Sequence, residues 1–189
     1  PLRLVGSEMC IRDSLYLGNM YASHPMVLYQ HGIECVLNLG GHEVDLNKNK
    51  YRLYAHAVVT VDDVPQNAKR MLDEIIPYGV KFIDNAMNDR KRILVHCAAG
   101  VSRSSTVVIA WLMKTYNMDR DQAYLMVKHS RNIVRPNDGF MQALQSYQMR
   151  LKRTTALRSV MRGATAGGGR SYNSNICLLY TSDAADEGL

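Results

Sequence analysis

The chain has 189 residues, of which 47% are hydrophobic and 21% charged, so it is long enough for one domain with a substantial core. Its longest apolar run, Val107–Met113, is too short to cross a bilayer, and the first residues lack the order of a secretory signal. The formal net charge of +6 suits an anionic substrate and equally a solvated basic surface. We therefore expect neither a membrane nor a nucleic acid as partner.

Two short segments near the ends of the chain share one coding sequence. Glu8–Ser14 can be encoded by GAGATGTGTATAAGAGACAG, and the reverse complement of this DNA encodes Cys-Leu-Leu-Tyr-Thr-Ser, which is Cys177–Ser182. The DNA resembles the transposon end used in sequencing adapters. We interpret residues 1–14 and 177–189 as adapter-derived or disordered, and we expect the fold not to depend on them.

Between these segments, strand-like and helix-like patterns alternate. This order predicts a single α/β domain with a central, mostly parallel sheet flanked by helices. Short apolar runs at Leu15–Leu17 and Cys35–Leu39 predict strands, and Pro25 and Gly32 bracket a short helix between them. The period-two alternation of Tyr51–Val59 predicts another strand.

The middle of the chain carries a long helical pattern followed by a strand and a second helix. Apolar residues recur at helical spacing from Ala68 to Ala86, and Pro77 within this pattern is expected to kink the helix. Ile93–Val95 predicts a buried strand, and Ser104–Tyr116 predicts a hydrophobic helix.

The last part of the domain is also helical. Asp119 and Gln122 form a capping box that opens one helix, and an apolar stripe ending at Leu151 predicts another. The pattern then dissolves into a stretch rich in glycine and alanine. We expect a catalytic domain over residues 15–151 and a flexible tail over residues 152–189.

The most informative stretch, residues 93–105, reads Ile-Leu-Val-His-Cys-Ala-Ala-Gly-Val-Ser-Arg-Ser-Ser. A strand delivers Cys97, a loop of small residues follows, and a helix begins at Arg103. Such a loop can turn its backbone N–H groups inward, which binds a phosphate dianion and favours the thiolate form of Cys97. The planar guanidinium of Arg103 can hold two phosphate oxygens. The predicted phosphate-binding residues are Ala98, Ala99, Gly100, Val101, Ser102 and Arg103.

This stretch resembles the His-Cys-x-x-Gly-x-x-Arg-Ser signature of the protein tyrosine phosphatase superfamily. Flanking pieces resemble dual-specificity phosphatases and extend the resemblance over about residues 15–151. Those pieces are Leu15-Tyr-Leu-Gly18, Gly32-Ile-Glu-Cys-Val-Leu-Asn-Leu39, Phe82-Ile-Asp84, Ala110-Trp-Leu-Met113 and Arg135-Pro-Asn-Asp-Gly-Phe140. The resemblance implies a hydrolase that cleaves phosphotyrosine and phosphoserine or phosphothreonine esters through a phosphocysteine intermediate, without a metal or other cofactor.

The resemblance also implies roles for individual residues. Cys97 is the nucleophile, Arg103 grips the phosphate, and the Ser104 hydroxyl helps the thiolate depart from the intermediate. His96 is expected to orient the loop through a hydrogen bond, with a general-base role as the less favoured alternative. The loop interior lacks the lysines that would suit an inositol phosphate, so we expect a phosphoprotein substrate.

The reaction also requires a general acid, because the leaving oxygen must gain a proton. The family places an aspartate some thirty residues before the cysteine, and its Asp-x-Pro pattern aligns with Asp63, with Asp62 as the alternative. The segment that follows is longer than usual, which leaves the register open. Whichever carboxylate is not catalytic is expected to cap the helix after Pro65.

Other readings of the same residues remain open at this stage. A catalytically weak domain of the same fold could bind phosphoproteins without hydrolysing them, and a sulfurtransferase or arsenate reductase also uses a Cys-x5-Arg loop. Cys35 could form a regulatory disulfide with Cys97, although a buried thiol is the simpler interpretation. Cysteines without paired spacing indicate a reducing compartment, the cytoplasm or the nucleus. The remaining histidines lack the spacing of metal ligands, and the sequence predicts no oligomeric state.

Overall fold

The computed structural model describes residues 8–12, 14–41 and 53–166. The chain divides into two units, Pro1–Leu151 and Lys152–Leu189. The first unit contains the sheet and the helices around it. The described part of the second is helical, and its side chains from Lys152 to Met161 are exposed.

A five-stranded sheet runs through the first unit. Its strands are β1 (Glu8–Arg12), β2 (Leu15–Gly18), β3 (Cys35–Asn38), β4 (Ala55–Val58) and β5 (Ile93–His96). Their spatial order is β1-β2-β5-β3-β4, with β2, β5, β3 and β4 parallel and β1 antiparallel at one edge. This confirms the predicted α/β class with a mostly parallel sheet.

Helices and turns connect these strands. They are a 3-10 turn (Met20–Ser23), α1 (Pro25–Gln30), a 3-10 turn (Pro65–Asn67), a single α-turn (Ala68–Arg70), a π-helical turn (Met71–Ile75), α2 (Ile76–Asn88), α3 (Arg103–Tyr116), α4 (Arg120–Ser130) and α5 (Asp138–Ala166). The predicted capping box is formed, because Asp119 accepts from the backbone of Gln122 and the Gln122 side chain accepts from the backbone of Asp119.

The two faces of the sheet pack against different elements, since neighbouring side chains on a strand point to opposite sides. One face, which includes Leu17 and Val95, joins the main core with apolar residues of α2, α3 and α5. The other face, which includes Leu94, packs with Ala22 and Leu28 from the first 3-10 turn and α1. The sheet is therefore covered on both faces. Because β2, β5, β3 and β4 are parallel, their carboxyl ends lie together at one end of the sheet.

Pro77 occupies the first turn of α2, directly after the π-helical turn. Proline offers no N–H and crowds the carbonyl four residues earlier, so an ordinary α-helix cannot pass through it undisturbed. Here the helix widens, and the N–H of Ile76 donates to the Met71 carbonyl five residues back. The disturbance predicted at Pro77 thus takes the form of a π-helical turn.

The ends of the chain differ in part from expectation. Glu8–Arg12 lies in the segment set aside as adapter-derived or disordered, yet it forms a strand along β2. Strand addition uses backbone groups, so an exposed edge can accept a segment of almost any sequence; the proposed DNA origin stays a prediction. The chain also remains helical to Ala166, beyond the Leu151 where the apolar stripe ends. Residues 167–189, including Cys177, lie outside the described residues.

No helix in the described parts of the chain is both long and apolar enough to cross a membrane.

The contact between α2 and α3 yields a stability test. Asp84 accepts a hydrogen bond from Trp111 Nε1 at 2.9 Å and from Lys114 Nζ at 2.6 Å. Trp111 is buried, so Asp84→Ala leaves its indole N–H without this partner and should lower the free energy of unfolding by about 1–3 kcal/mol. Lys114→Ala removes only the exposed half of the cluster and should cost about 1 kcal/mol or less. Urea unfolding measures both; equal losses would contradict this ranking.

Candidate active site

The loop between β5 and α3, residues 97–102, lies where the parallel strands end, and we call it the phosphate loop after its predicted ligand. The five carbonyls from Ala98 to Ser102 all accept hydrogen bonds. Ala98 accepts from Met20 N, Ala99 from Arg131 Nη2 and Gly100 from Arg131 Nε. Val101 accepts from Arg135 N and Ser102 from Thr106 N, and the five distances lie between 2.9 and 3.3 Å. All five donors lie outside the loop: four come from other parts of the chain, and Thr106 belongs to α3, which follows the loop. Carbonyls held by donors outside the loop cannot turn towards its centre, and this favours inward-facing N–H groups as in an anion-binding nest.

Gly100 allows the chain to make this turn. Its φ is +67°, and a Cβ at this position would lie 2.5 Å from the Gly18 carbonyl oxygen. Only glycine satisfies both the positive φ and the close approach to β2. The glycine of the motif is therefore required by backbone geometry.

Cys97 and Ser104 meet at the base of the loop. Cys97 follows the last residue of β5 and is 1% exposed. The Ser104 hydroxyl, in the first turn of α3, lies 3.2 Å from the Cys97 sulfur and can donate to it. The Ser104 hydroxyl is therefore placed to stabilise negative charge on the sulfur.

Arg103 is the first residue of α3 and follows the loop directly. Its Nη1 donates to the Val61 carbonyl at 3.1 Å, and its Nε lies 3.7 Å from Asp63 Oδ2. That Nε is buried and makes no hydrogen bond to any described residue. A buried guanidinium N–H without an acceptor is costly, and an anion held in the loop would supply one.

Of the two candidate acids, the structure brings only Asp63 to the loop. Asp63 Oδ1 accepts from Ser102 Oγ at 2.7 Å and from Asn137 Nδ2 at 2.8 Å. Asp62 is exposed, and its backbone carbonyl accepts from Asn67. The predicted capping role is wrong for both residues, because the 3-10 turn at Pro65 begins at Val64 without a side-chain cap.

His96 does not behave as expected. It shares the face of Leu94 in β5 and is 2% exposed, and neither ring nitrogen makes a hydrogen bond within the described structure. The predicted hydrogen bond to the loop is reduced to a weak interaction between the ring and the backbone of Cys97. Burial lowers the pKa of His96 to about 4; the nearby His56 lowers it further, and the backbone of Cys97 opposes the shift. His96 is therefore neutral near pH 7.

The disulfide considered between Cys35 and Cys97 does not fit the sheet. Cys35 is level with Ile93 in the β3–β5 pairing, and four residues at about 3.3 Å each put Cys97 roughly 13 Å further along. A disulfide needs Cα atoms within about 7 Å. Both thiols are free, and burial raises the pKa of Cys35 to about 11, which keeps it protonated.

Two residues outside the predicted catalytic set also contribute to the site. Arg131, 9% exposed, donates to two carbonyls of the phosphate loop, and no local motif marks it. Asn137, which belongs to the motif at Arg135–Phe140, contacts both Asp63 and Ser102. Both residues lie far along the chain from the loop they contact, so only the tertiary fold reveals them.

Residues 15–150 match the family model described as dual specificity phosphatase, catalytic domain. Mouse dual specificity protein phosphatase 14 is 32% identical over 157 residues, which are 82% of this chain and 76% of the relative. Human dual specificity protein phosphatase 1 is 33% identical over 149 residues, which are 78% of this chain and 39% of the relative. A probable rhodanese domain-containing dual specificity protein phosphatase of Dictyostelium discoideum is 35% identical over 150 residues, which are 79% of this chain and 30% of the relative. The chain thus spans less than half the length of the last two.

Solved structures show the same architecture. Human tyrosine phosphatase-like serine/threonine/tyrosine-interacting protein superimposes with a TM-score of 0.66 at 28% identity, covering 75% of this chain and 95% of that one. A mouse putative dual specificity phosphatase complexed with zinc tungstate superimposes with a TM-score of 0.66 at 27% identity, covering 79% of this chain and 91% of that one. These similarities agree with a parallel sheet flanked by helices.

The buried, neutral His96 makes stability depend on pH. Its folded pKa of about 4 lies below the ordinary value of 6.5, so the unfolded chain takes up the proton first as pH falls. The contribution of neutral His96 to the free energy of unfolding is complete above about pH 6.5. It is lost progressively as pH falls towards 4, by about 3 kcal/mol in total. We expect the free energy of unfolding of His96→Gln to fall less steeply over this range in urea titrations. Parallel pH profiles for parent and variant would contradict the assignment.

Proposed function

Because this chain belongs to the dual-specificity phosphatase family, we propose that it hydrolyses phosphate esters of tyrosine, serine and threonine in proteins through a phosphocysteine intermediate. The observation that carries this proposal is the loop whose carbonyls from Ala98 to Ser102 are all engaged outside, with Cys97 and Arg103 at its two ends. The arrangement provides a nucleophile, inward-facing donors for an anion and a cation within one short segment.

The first step transfers the phosphoryl group to the enzyme. The thiolate of Cys97 attacks phosphorus, the bond between sulfur and phosphorus forms, and the bond from phosphorus to the leaving oxygen breaks. Inward N–H groups and Arg103 hold the phosphate oxygens while negative charge is redistributed. Asp63 transfers its proton to the leaving oxygen, so the alcohol departs neutral.

The second step regenerates the enzyme. Water attacks the phosphorus of phosphocysteine, Asp63 takes a proton from that water, and the bond between sulfur and phosphorus breaks. The Ser104 hydroxyl, 3.2 Å from the sulfur, donates to the departing thiolate. Inorganic phosphate leaves, with Cys97 again a thiolate and Asp63 again protonated.

The proposed substrate is a phosphoprotein. The loop side chains are small or uncharged, so Arg103 is the cation that the loop itself brings to the phosphate. A highly charged inositol phosphate would need additional basic side chains around it. One solved relative is complexed with zinc tungstate, and tungstate is a tetrahedral oxyanion of the same shape as phosphate. We place the protein in the cytoplasm or nucleus, because a nucleophilic thiol and the free Cys35 suit a reducing compartment.

Replacing the proposed acid gives the test of this mechanism. Asp63→Asn should slow hydrolysis of a phosphothreonine peptide by about 10²–10⁴-fold, because its alkoxide leaving group needs a proton. It should slow hydrolysis of p-nitrophenyl phosphate far less, because nitrophenolate leaves with little protonation. Steady-state kinetics on both substrates measure the contrast.

Asp62→Asn is the matched control, since it makes the same change one residue away on an exposed side chain. It should leave both rates close to the parent. A leaving-group-dependent loss in Asp62→Asn, without one in Asp63→Asn, would transfer the acid role to Asp62.

A further inference from the structure

Asn137 lies immediately before α5 and uses three of its polar groups at once. Its side-chain oxygen accepts from Phe140 N at 2.9 Å, which caps the helix. Its side-chain NH₂ donates to Asp63 Oδ1 at 2.8 Å, and its backbone N–H donates to Ser102 Oγ at 3.1 Å. One residue thus links the start of a helix to the acid and to the phosphate loop.

The contacts around Asp63 make its two carboxyl oxygens unequal. Oδ1 accepts from both Asn137 Nδ2 and Ser102 Oγ, at 2.8 and 2.7 Å. Oδ2 lies on the side of Arg103, 3.7 Å from its Nε. An oxygen that already accepts two hydrogen bonds is the poorer site for a proton, because the donors occupy its lone pairs. The proton is therefore directed to Oδ2, which faces the phosphate-gripping side chain.

A second contact joins α5 to the same loop. The backbone of Gly139 approaches Pro65 so closely that a Cβ on Gly139 would lie 2.2 Å from the Pro65 carbonyl oxygen and 2.6 Å from its Cα. Any side chain at Gly139 would displace the loop that carries Asp63. The start of α5 thus contacts this loop twice, through Asn137 and through the backbone of Gly139.

The loop around Asp63 needs such support. Residues 62–66 are all exposed, and Val61 is the buried residue that anchors them. Arg103 also lies beside the Asp63 carboxyl, but in the reaction its guanidinium is engaged with the phosphate. Asn137 and Ser102 therefore remain to hold Asp63 while the proton moves.

We propose that the turn of residues 136–139 positions the general acid, with Asn137 and Ser102 fixing Oδ1 of Asp63 so that Oδ2 delivers the proton. Asn137 is a positioning residue, since it contacts the acid and not the reacting atoms. This proposal rests on the acid role of Asp63 given above. It predicts that loss of the Asn137 amide impairs proton transfer while phosphate binding and the fold are retained.

Asn137→Ser separates the two functions of the side chain. Serine keeps an oxygen that can cap α5, but its side chain is too short to reach Asp63 as the amide does. Hydrolysis of a phosphothreonine peptide should fall about 10-fold or more, and hydrolysis of p-nitrophenyl phosphate should change about 2-fold or less. The melting temperature should stay near that of the parent. Gly139→Ala, which displaces Pro65, should give the same selective loss by a different route.

The double variant Asp63→Asn/Asn137→Ser tests whether the two residues act together. If Asn137 works through Asp63, adding Asn137→Ser to Asp63→Asn should cause no further loss on the peptide. Additive losses, equal losses on both substrates, or no loss on the peptide in Asn137→Ser would each overturn the proposal. If Asp63→Asn alone shows no dependence on the leaving group, the acid assignment itself fails, and the positioning role fails with it.

Discussion

The site depends on how the carbonyls of the phosphate loop are satisfied. Five consecutive backbone carbonyls bond away from the centre of the loop, and a single buried side chain, Arg131, accounts for two of those bonds. Without these donors, carbonyls would be free to turn inward and repel an anion. A buried guanidinium is costly unless its hydrogen bonds are made, so the loop and Arg131 stabilise each other. The anion binding that we propose for the loop therefore depends on the surrounding fold as well as on the motif.

The parallel sheet brings the remaining parts of the site to the same edge. β2 leads into Met20, which bonds to the loop, β5 ends at Cys97, and the chain beyond β4 carries Asp63. The start of α5 then meets both the loop and Asp63 through Asn137. Parallel strands that end together allow residues far apart in sequence to converge, which is why ligands bind at this edge in open α/β sheets. The residues proposed as nucleophile, phosphate-binding arginine and general acid are thus positioned by different parts of the fold.

The sequence predicts the local parts of this account and misses the long-range ones. The fold class, the strand before Cys97 and the glycine turn at Gly100 follow from contiguous patterns, which periodicity and φ preference determine. The choice between Asp62 and Asp63 needs the tertiary fold, because the two residues are adjacent and both precede the turn at Pro65. Arg131 is one of 23 basic residues and has no local signature. The burial of His96 is also missed, because the local motif does not show that its side chain shares the sheet face that buries Leu94.

The central claim is that phosphate becomes covalently bound to Cys97 during turnover. The most direct measurement is rapid acid quenching of Ser104→Ala during hydrolysis of p-nitrophenyl phosphate, followed by mass spectrometry of the intact protein and its peptides. Loss of the hydroxyl proposed to assist thiolate departure should slow breakdown of the intermediate, so a phosphate should accumulate on the peptide that contains Cys97. It should be absent from Cys97→Ser treated identically. Continued turnover with no phosphate on the protein, or with phosphate on another residue, would contradict the account.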